Sequence, residues 1–150
     1  MSNETGQPGP NLIREGAFAG WMTWSGGADP YETAIGPFCF RVDDGVVRAG
    51  FEPRHDHLNG GGSIHGGALM SFADFSLFAI AHKELRETSA VTLTCNSEFL
   101  SAGGLGAIVE ARGEVLRETR TLLFVRGLIT QRAAPLLAFS GTLKKIPKRA

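Results

Sequence analysis

The strongest pattern in the chain is an apolar block from Ala68 to Ala81, where Leu69, Met70, Phe72, Ala73, Phe75, Leu77 and Phe78 leave almost no polar face. A helix that is apolar all round is one enclosed by other elements. The pattern therefore predicts a buried helix from Gly66 to about Glu87, with His82–Glu87 emerging at its polar end. At 1.5 Å per residue, its ~22 residues span about 33 Å. On both sides the period changes to that of strands. Ala34–Val42 and Val46–Phe51 flank Asp43-Asp44-Gly45, whose glycine supplies the positive φ of a tight hairpin. After the helix come Ala90–Leu100, Ala107–Leu116, Leu122–Ile129 and Leu136–Leu143, separated by Ser101-Ala102-Gly103-Gly104, by Arg117–Arg120 and by a turn at Pro135. At the front, Leu12, Ala17, Phe18, Trp21 and Met22 recur at loosely helical spacing and predict a short N-terminal helix within Asn11–Trp24, ended by Gly26-Gly27. Pro53–Ile64, with Gly60-Gly61-Gly62, reads as a long irregular loop.

This order has no helix after the central one to cross over between parallel strands, so the sheet is expected to be antiparallel. The fold class is α+β: about six antiparallel strands wrapped around one long helix, plus a short N-terminal helix. Residues 1–30 read as a tail and that helix, and residues 31–150 as a single domain. Composition adds exclusions. Fifteen basic residues cancel fifteen acidic ones, so no global field exists to hold nucleic acid or an anionic membrane. The apolar block is interrupted by Ser71, Asp74 and Ser76 and is too short to span a bilayer. The first ten residues resemble no signal peptide, which predicts a cytoplasmic protein. Cys39 and Cys95 lack a partner motif and read as buried thiols. His55 and His57 read as residues of a solvated loop rather than a metal pair, and His82 as a surface residue. The run Lys144–Arg149 reads as a solvated tail.

Chemistry enters at Asp74, a carboxylate among apolar neighbours in the third turn of the helix. Buried carboxylates are paired, hydrogen-bonded or open to a cleft, and the sequence leaves a structural and a functional role equally open. His65-Gly66-Gly67 marks the passage from loop to helix, where the first N–H groups lack helical acceptors. Those donors and the positive end of the helix dipole can stabilise charge on a carbonyl oxygen during acyl transfer. Asn59, six residues before His65, has an amide that could reach a carbonyl or hold the loop. Thr92 opens an alternating strand, Thr92, Thr94, Asn96 and Glu98, whose polar face would have to meet the site.

Asn-x5-His-Gly-Gly at 59–67, Asp74 nine residues after the histidine, and the apolar helix together resemble the PaaI-like branch of hotdog acyl-CoA thioesterases. So do the Asp-Asp-Gly hairpin, the Phe-Leu-x-x-Gly link at Phe99–Gly103 and the later strands; the similarity runs from about Ala34 to Ile146. The resemblance implies thioester hydrolysis with Asn59 and the Gly66 N–H on the carbonyl. His65 and Gly67 would shape the substrate-binding turn, and Asp74 would serve as base or nucleophile. Thr92, where some relatives have serine, would position water. It further implies an acyl-CoA substrate, no cofactor or metal, and a homodimer or homotetramer. Asn59 and Gly66 would then face Asp74 and Thr92 of the neighbouring subunit. Two rivals are a hydratase of the same fold, whose D-x-N-P-x-H segment is absent, and a non-catalytic binder of acyl-CoA or aromatic acids. Phe72, Phe75, Phe78 and Met70 line either an acyl pocket or the core.

Overall fold

A computed structural model of the chain describes residues 9–26 and 29–148. In chain order it contains strands β1 (Asn11–Leu12) and β2 (Met22–Thr23), helix α1 (Pro30–Ile35), and strands β3 (Cys39–Asp43) and β4 (Val46–Phe51). Helix α2 (Gly66–Ile80) follows, then β5 (Ser89–Phe99), β6 (Val109–Glu118), β7 (Leu122–Gln131) and β8 (Ala134–Ile146). All eight strands join one antiparallel sheet in the order β1-β2-β3-β4-β6-β7-β8-β5. The expected wrapping of an antiparallel sheet around one helix is what forms, with two strands more than the six foreseen. The additional strands, β1 and β2, replace the helix predicted within Asn11–Trp24. Gly16 and Gly20 adopt φ of 83° and 89°, left-handed values that end a right-handed helix. Phe18 and Trp21 instead meet edge to face at 4.9 Å. The short helix lies later, at α1, on residues read partly as strand.

The Asp-Asp-Gly turn forms as expected, with Asp44 and Gly45 at φ of 48° and 78° joining β3 to β4. The central helix is shorter than predicted. It stops at Ile80 after 15 residues, and Ala81–Glu87 continues as turns held by bonds such as Leu85 N–H to Ala81 O and His82 O. The later residues favour helix, but the chain tightens after Ile80 into turns in which Leu85 N–H is shared between the Ala81 and His82 carbonyls. α2 packs on β4 to β8 and buries Leu69, Phe72, Ala73, Phe75, Leu77, Ala79 and Ile80. Each large side chain so buried contributes roughly 1.5–3 kcal/mol. Phe72 and Phe75 join Phe38 and Phe51 in an aromatic cluster. Glycines set how closely helix and sheet approach: a Cβ on Gly141 would fall 2.4 Å from a Leu77 methyl, and one on Gly113 2.6 Å from a methyl of Ile80.

Three minor readings change. His57 is not solvated; it is buried edge-on to Phe51. His82 is half-buried against Phe40 at 5.2 Å, and desolvation lowers its pKa. Lys144, Lys145 and Ile146 belong to β8 rather than a tail, with Lys145 paired to Glu118 at 2.8 Å, while Arg149 lies outside the described residues. Both cysteines are free: Cys39 is buried, its thiol pushed up to about 12 by desolvation, and Cys95 is half-buried. No helix among the described residues is long and apolar enough to cross a membrane.

Candidate active site

Asp74 faces β5. Its Oδ1 accepts a 2.7 Å hydrogen bond from the Thr92 hydroxyl, and the carboxylate opens onto two cavities. One, of about 390 Å³, is lined by Asp29, Tyr31, Glu32, Met70, Ser71, Asp74 and Cys95. The other, of about 280 Å³, is lined by Trp24, Asp29, Glu32, Asp74, Phe78 and Thr92. The carboxylate is thus neither sealed in nor fully bonded. Of the four ambiguous apolar residues, Phe72 and Phe75 are core, whereas Met70 and Phe78 line these cavities.

Thr92 reaches Asp74 because β5 is irregular. Thr92 pairs with Leu143 and Thr94 with Thr142, so Leu93 is an extra residue with no partner of its own. Such a bulge shifts the in–out alternation by one. Thr92, Cys95 and Ser97 are accordingly half-buried, while Thr94, Asn96 and Glu98 are exposed. The continuous polar face predicted for Thr92, Thr94, Asn96 and Glu98 does not exist.

The turn before α2 is fixed from both sides. Ile64 N–H donates to Gly103 O at 2.9 Å, and His65 N–H to His57 O at 2.7 Å. The Phe-Leu-x-x-Gly link supports this turn through Gly103, where a Cβ would collide with Leu136 and Ile64, and through Phe99, whose ring lies over Gly66. His65 caps the helix: its Nδ1 accepts from Gly67 N–H at 2.8 Å, so Nε2 carries the ring proton. A side chain at 67 would crowd that ring, since its Cβ would lie 3.0 Å from Nδ1. The Gly66 N–H has no acceptor among the described residues. Asn59 Oδ1 accepts from Gly61 and Ser63 N–H, which shapes the glycine loop and leaves the Nδ2 donors unengaged among the described residues. The helix start therefore carries one bare backbone donor with an amide nearby in sequence.

Sequence reading missed α1 and its Glu32. Asp29-Pro30-x-Glu32 is a helix-start signature, and Asp29 Oδ1 indeed caps Glu32 N–H at 2.9 Å. The far end of α1 is held by side chains: Ser25 Oγ donates to Glu32 O, Arg54 to Ala34 O and Gly36 O, and His57 Nε2 meets Ile35 O at 2.6 Å. Tyr31 OH and Ser71 Oγ, 2.8 Å apart, join α1 to α2. This clamping puts Glu32 in both cavities beside Asp74. A larger groove of about 910 Å³ crosses β5 to β8, but its Arg126 is already paired with Glu114 at 2.7 Å. No group of three or more His, Cys, Asp or Glu among the described residues is arranged to hold a metal ion.

The thioesterase superfamily profile matches residues 61–136 of the chain. No curated protein matches it significantly. Among solved structures, a mutant of the phenylacetic acid degradation protein PaaI from Thermus thermophilus is 28% identical with a TM-score of 0.69, covering 79% of this chain and all of that one. A conserved protein from Pseudomonas aeruginosa is 26% identical with a TM-score of 0.70, covering 79% and 94%. A hypothetical thioesterase from Streptococcus pneumoniae, solved with coenzyme A, is 23% identical with a TM-score of 0.64, covering 75% and 91%. With its profile match spanning the His65-Gly66-Gly67 turn, helix α2 and strands β5 to β7, the chain belongs to the thioesterase superfamily, in its PaaI-like hotdog form.

Proposed function

We propose that the chain hydrolyses an acyl-CoA thioester to the free acid and thiol, with Asp74 as the catalytic carboxylate. The observation that carries this reading is a carboxylate on an otherwise greasy helix, oriented by the Thr92 hydroxyl and open to two cavities. The Gly66 N–H, without an acceptor among the described residues and at the positive end of α2, polarises the thioester carbonyl, and Asn59 assists through its amide. Asp74 then attacks the carbonyl carbon or takes a proton from the attacking water. The S. pneumoniae protein, which shares this fold, was solved with coenzyme A.

The two halves of this machinery belong to different subunits. Gly66 and Asp74 are eight residues apart on one helix, a rise of about 12 Å. An aspartate side chain does not bridge that distance. β5 ends the sheet order and is 11 residues long, with Val91, Leu93 and Phe99 exposed along it. A long apolar edge is a template for a second copy. Pairing there sets Asp74 and Thr92 of one subunit opposite Asn59 and Gly66 of the partner subunit, in a homodimer or a pair of dimers.

The test is thiol release across a panel of acyl-CoAs. The wild type releases free CoA, and Asp74→Ala keeps its fold but loses on the order of 10²–10⁴ in turnover, as removal of a catalytic acid or base does. Saturable binding without thiol release, or an undiminished Asp74→Ala variant, refutes the assignment.

A further inference from the structure

Asp74 shares its cavities with a second carboxyl group. Glu32 lines both of them, and its Oε2 is buried without a hydrogen-bond partner among the described residues. An orphan of this kind is destabilising, yet α1 is clamped by Asp29, Ser25, Arg54 and His57 so that Glu32 stays there. Around it stand Asp29 from the preceding loop, Tyr31 from its own helix, Asp74 from α2 and Cys95 from β5. Among the described residues no basic side chain lines either cavity. Among these lining residues none therefore favours the ionised form by opposite charge. Burial first, then the charges of Asp29 and Asp74, push the Glu32 carboxyl up to about 7. A carboxyl group that keeps its proton beside a second carboxyl group in one cavity is placed to act as an acid.

Resting on the reading of Asp74 as the base, we infer that Glu32 is the general acid of the same reaction and protonates the departing sulfur. Asp74 takes one proton from water as the water oxygen bonds to the carbonyl carbon. The C–S bond then breaks with its electron pair on sulfur, and the Glu32 proton passes to that sulfur. Free acid and free thiol result, leaving Asp74 protonated and Glu32 ionised. Transfer of the proton from Asp74 to Glu32, directly or through water, restores both groups.

Glu32→Gln keeps the shape and removes the acid. With an acyl-CoA, whose alkyl thiolate is a basic leaving group, turnover falls on the order of 10²-fold. With the S-phenyl thioester of the same acid, whose thiolate departs readily without a proton, the variant stays within a few-fold of the wild type. Equal losses on both esters, or no loss on either, overturn the proposal. A second measurement needs no turnover. Infrared titration of the full chain, using Glu32→Gln as the difference reference, puts the Glu32 carboxyl at about 7, and Asp74→Asn moves it down by removing a negative neighbour. A midpoint at the ordinary 4.5, or one indifferent to Asp74→Asn, also overturns the proposal. If the wild type cleaves neither ester while Glu32 still titrates with Asp74, the hydrolase reading fails and the acid role falls with it, although the coupling survives.

Discussion

Gly66 allows the carbonyl-binding role to be tested by deleting a single hydrogen. It is the first residue of α2, and His65 before it sits at φ −59° and ψ 137°. Proline is well tolerated at the first position of a helix, and the residue before a proline must be extended, as His65 already is. Gly66→Pro thus removes the N–H and leaves the helix in place, with Gly67 N–H still capped by His65. The new Cβ would come within 3.2 Å of the Phe99 ring, which is exposed and free to give by a few tenths of an ångström. Gly66→Ala adds the same Cβ and keeps the N–H, so it is the reference. One oxyanion donor is worth about 10²–10³ in kcat, or about 2.7–4 kcal/mol, and that factor is expected between the two variants in a thiol-release assay at saturating acyl-CoA. Stability moves the other way, since replacing glycine by a compatible proline gains about 0.4–1 kcal/mol from the unfolded state. Thermal melts of both variants check this. Comparable turnover by Gly66→Pro and Gly66→Ala, with both folded, would refute the assignment of the N–H to the carbonyl.

Thr92→Val removes the 2.7 Å hydrogen bond to Asp74; a bond to a charged group is worth roughly 1.5–3 kcal/mol, so kcat falls about tenfold to a hundredfold with KM little changed, and Thr92→Ser restores it. Gly113→Ala forces a Cβ to 2.1 Å from the Arg126 carbonyl, and such overpacking costs about 1–3 kcal/mol or more, read as a lower urea midpoint. Glu32→Gln raises the melting temperature at pH 8 and changes it little at pH 4. The folded carboxyl, at about 7, holds its proton more tightly than the unfolded one at 4.5, so the wild type loses stability as pH climbs through that window and the amide does not.

Legibility in the sequence followed how local each determinant is. The β4 boundaries, the Asp44-Gly45 turn and the start of α2 were all readable, because each rests on a few adjacent residues. Where apolar spacing competed with backbone conformation, the spacing misled. Gly16 and Gly20 defeat the helix that Leu12, Phe18 and Trp21 suggest, and the helical propensity of Lys83-Glu84-Leu85 does not carry α2 past Ile80. At the candidate site, Asp74 was evident from its surroundings and Thr92 through the family resemblance. Glu32 was hidden because its significance depends on α1 folding back over α2, a tertiary event marked in the sequence only by Asp29-Pro30. His57 likewise reads as a loop residue until Arg54 N–H and Ile35 O are seen to engage both its nitrogens.

The unpaired Leu93 divides β5 into two halves that are out of phase. Thr92 looks inward from the first half and Cys95 from the second, so Asp74 is approached by both, which an unbroken strand with its strict two-residue period could not arrange. Deleting Leu93 would mend the ladder with β8 and still leave Thr92 and Cys95 on one face, because the two would then stand two residues apart. In the strand as it stands, the extra residue is what compensates for their three-residue spacing: held in unbroken register, the same residues would send either the hydroxyl or the thiol away from Asp74.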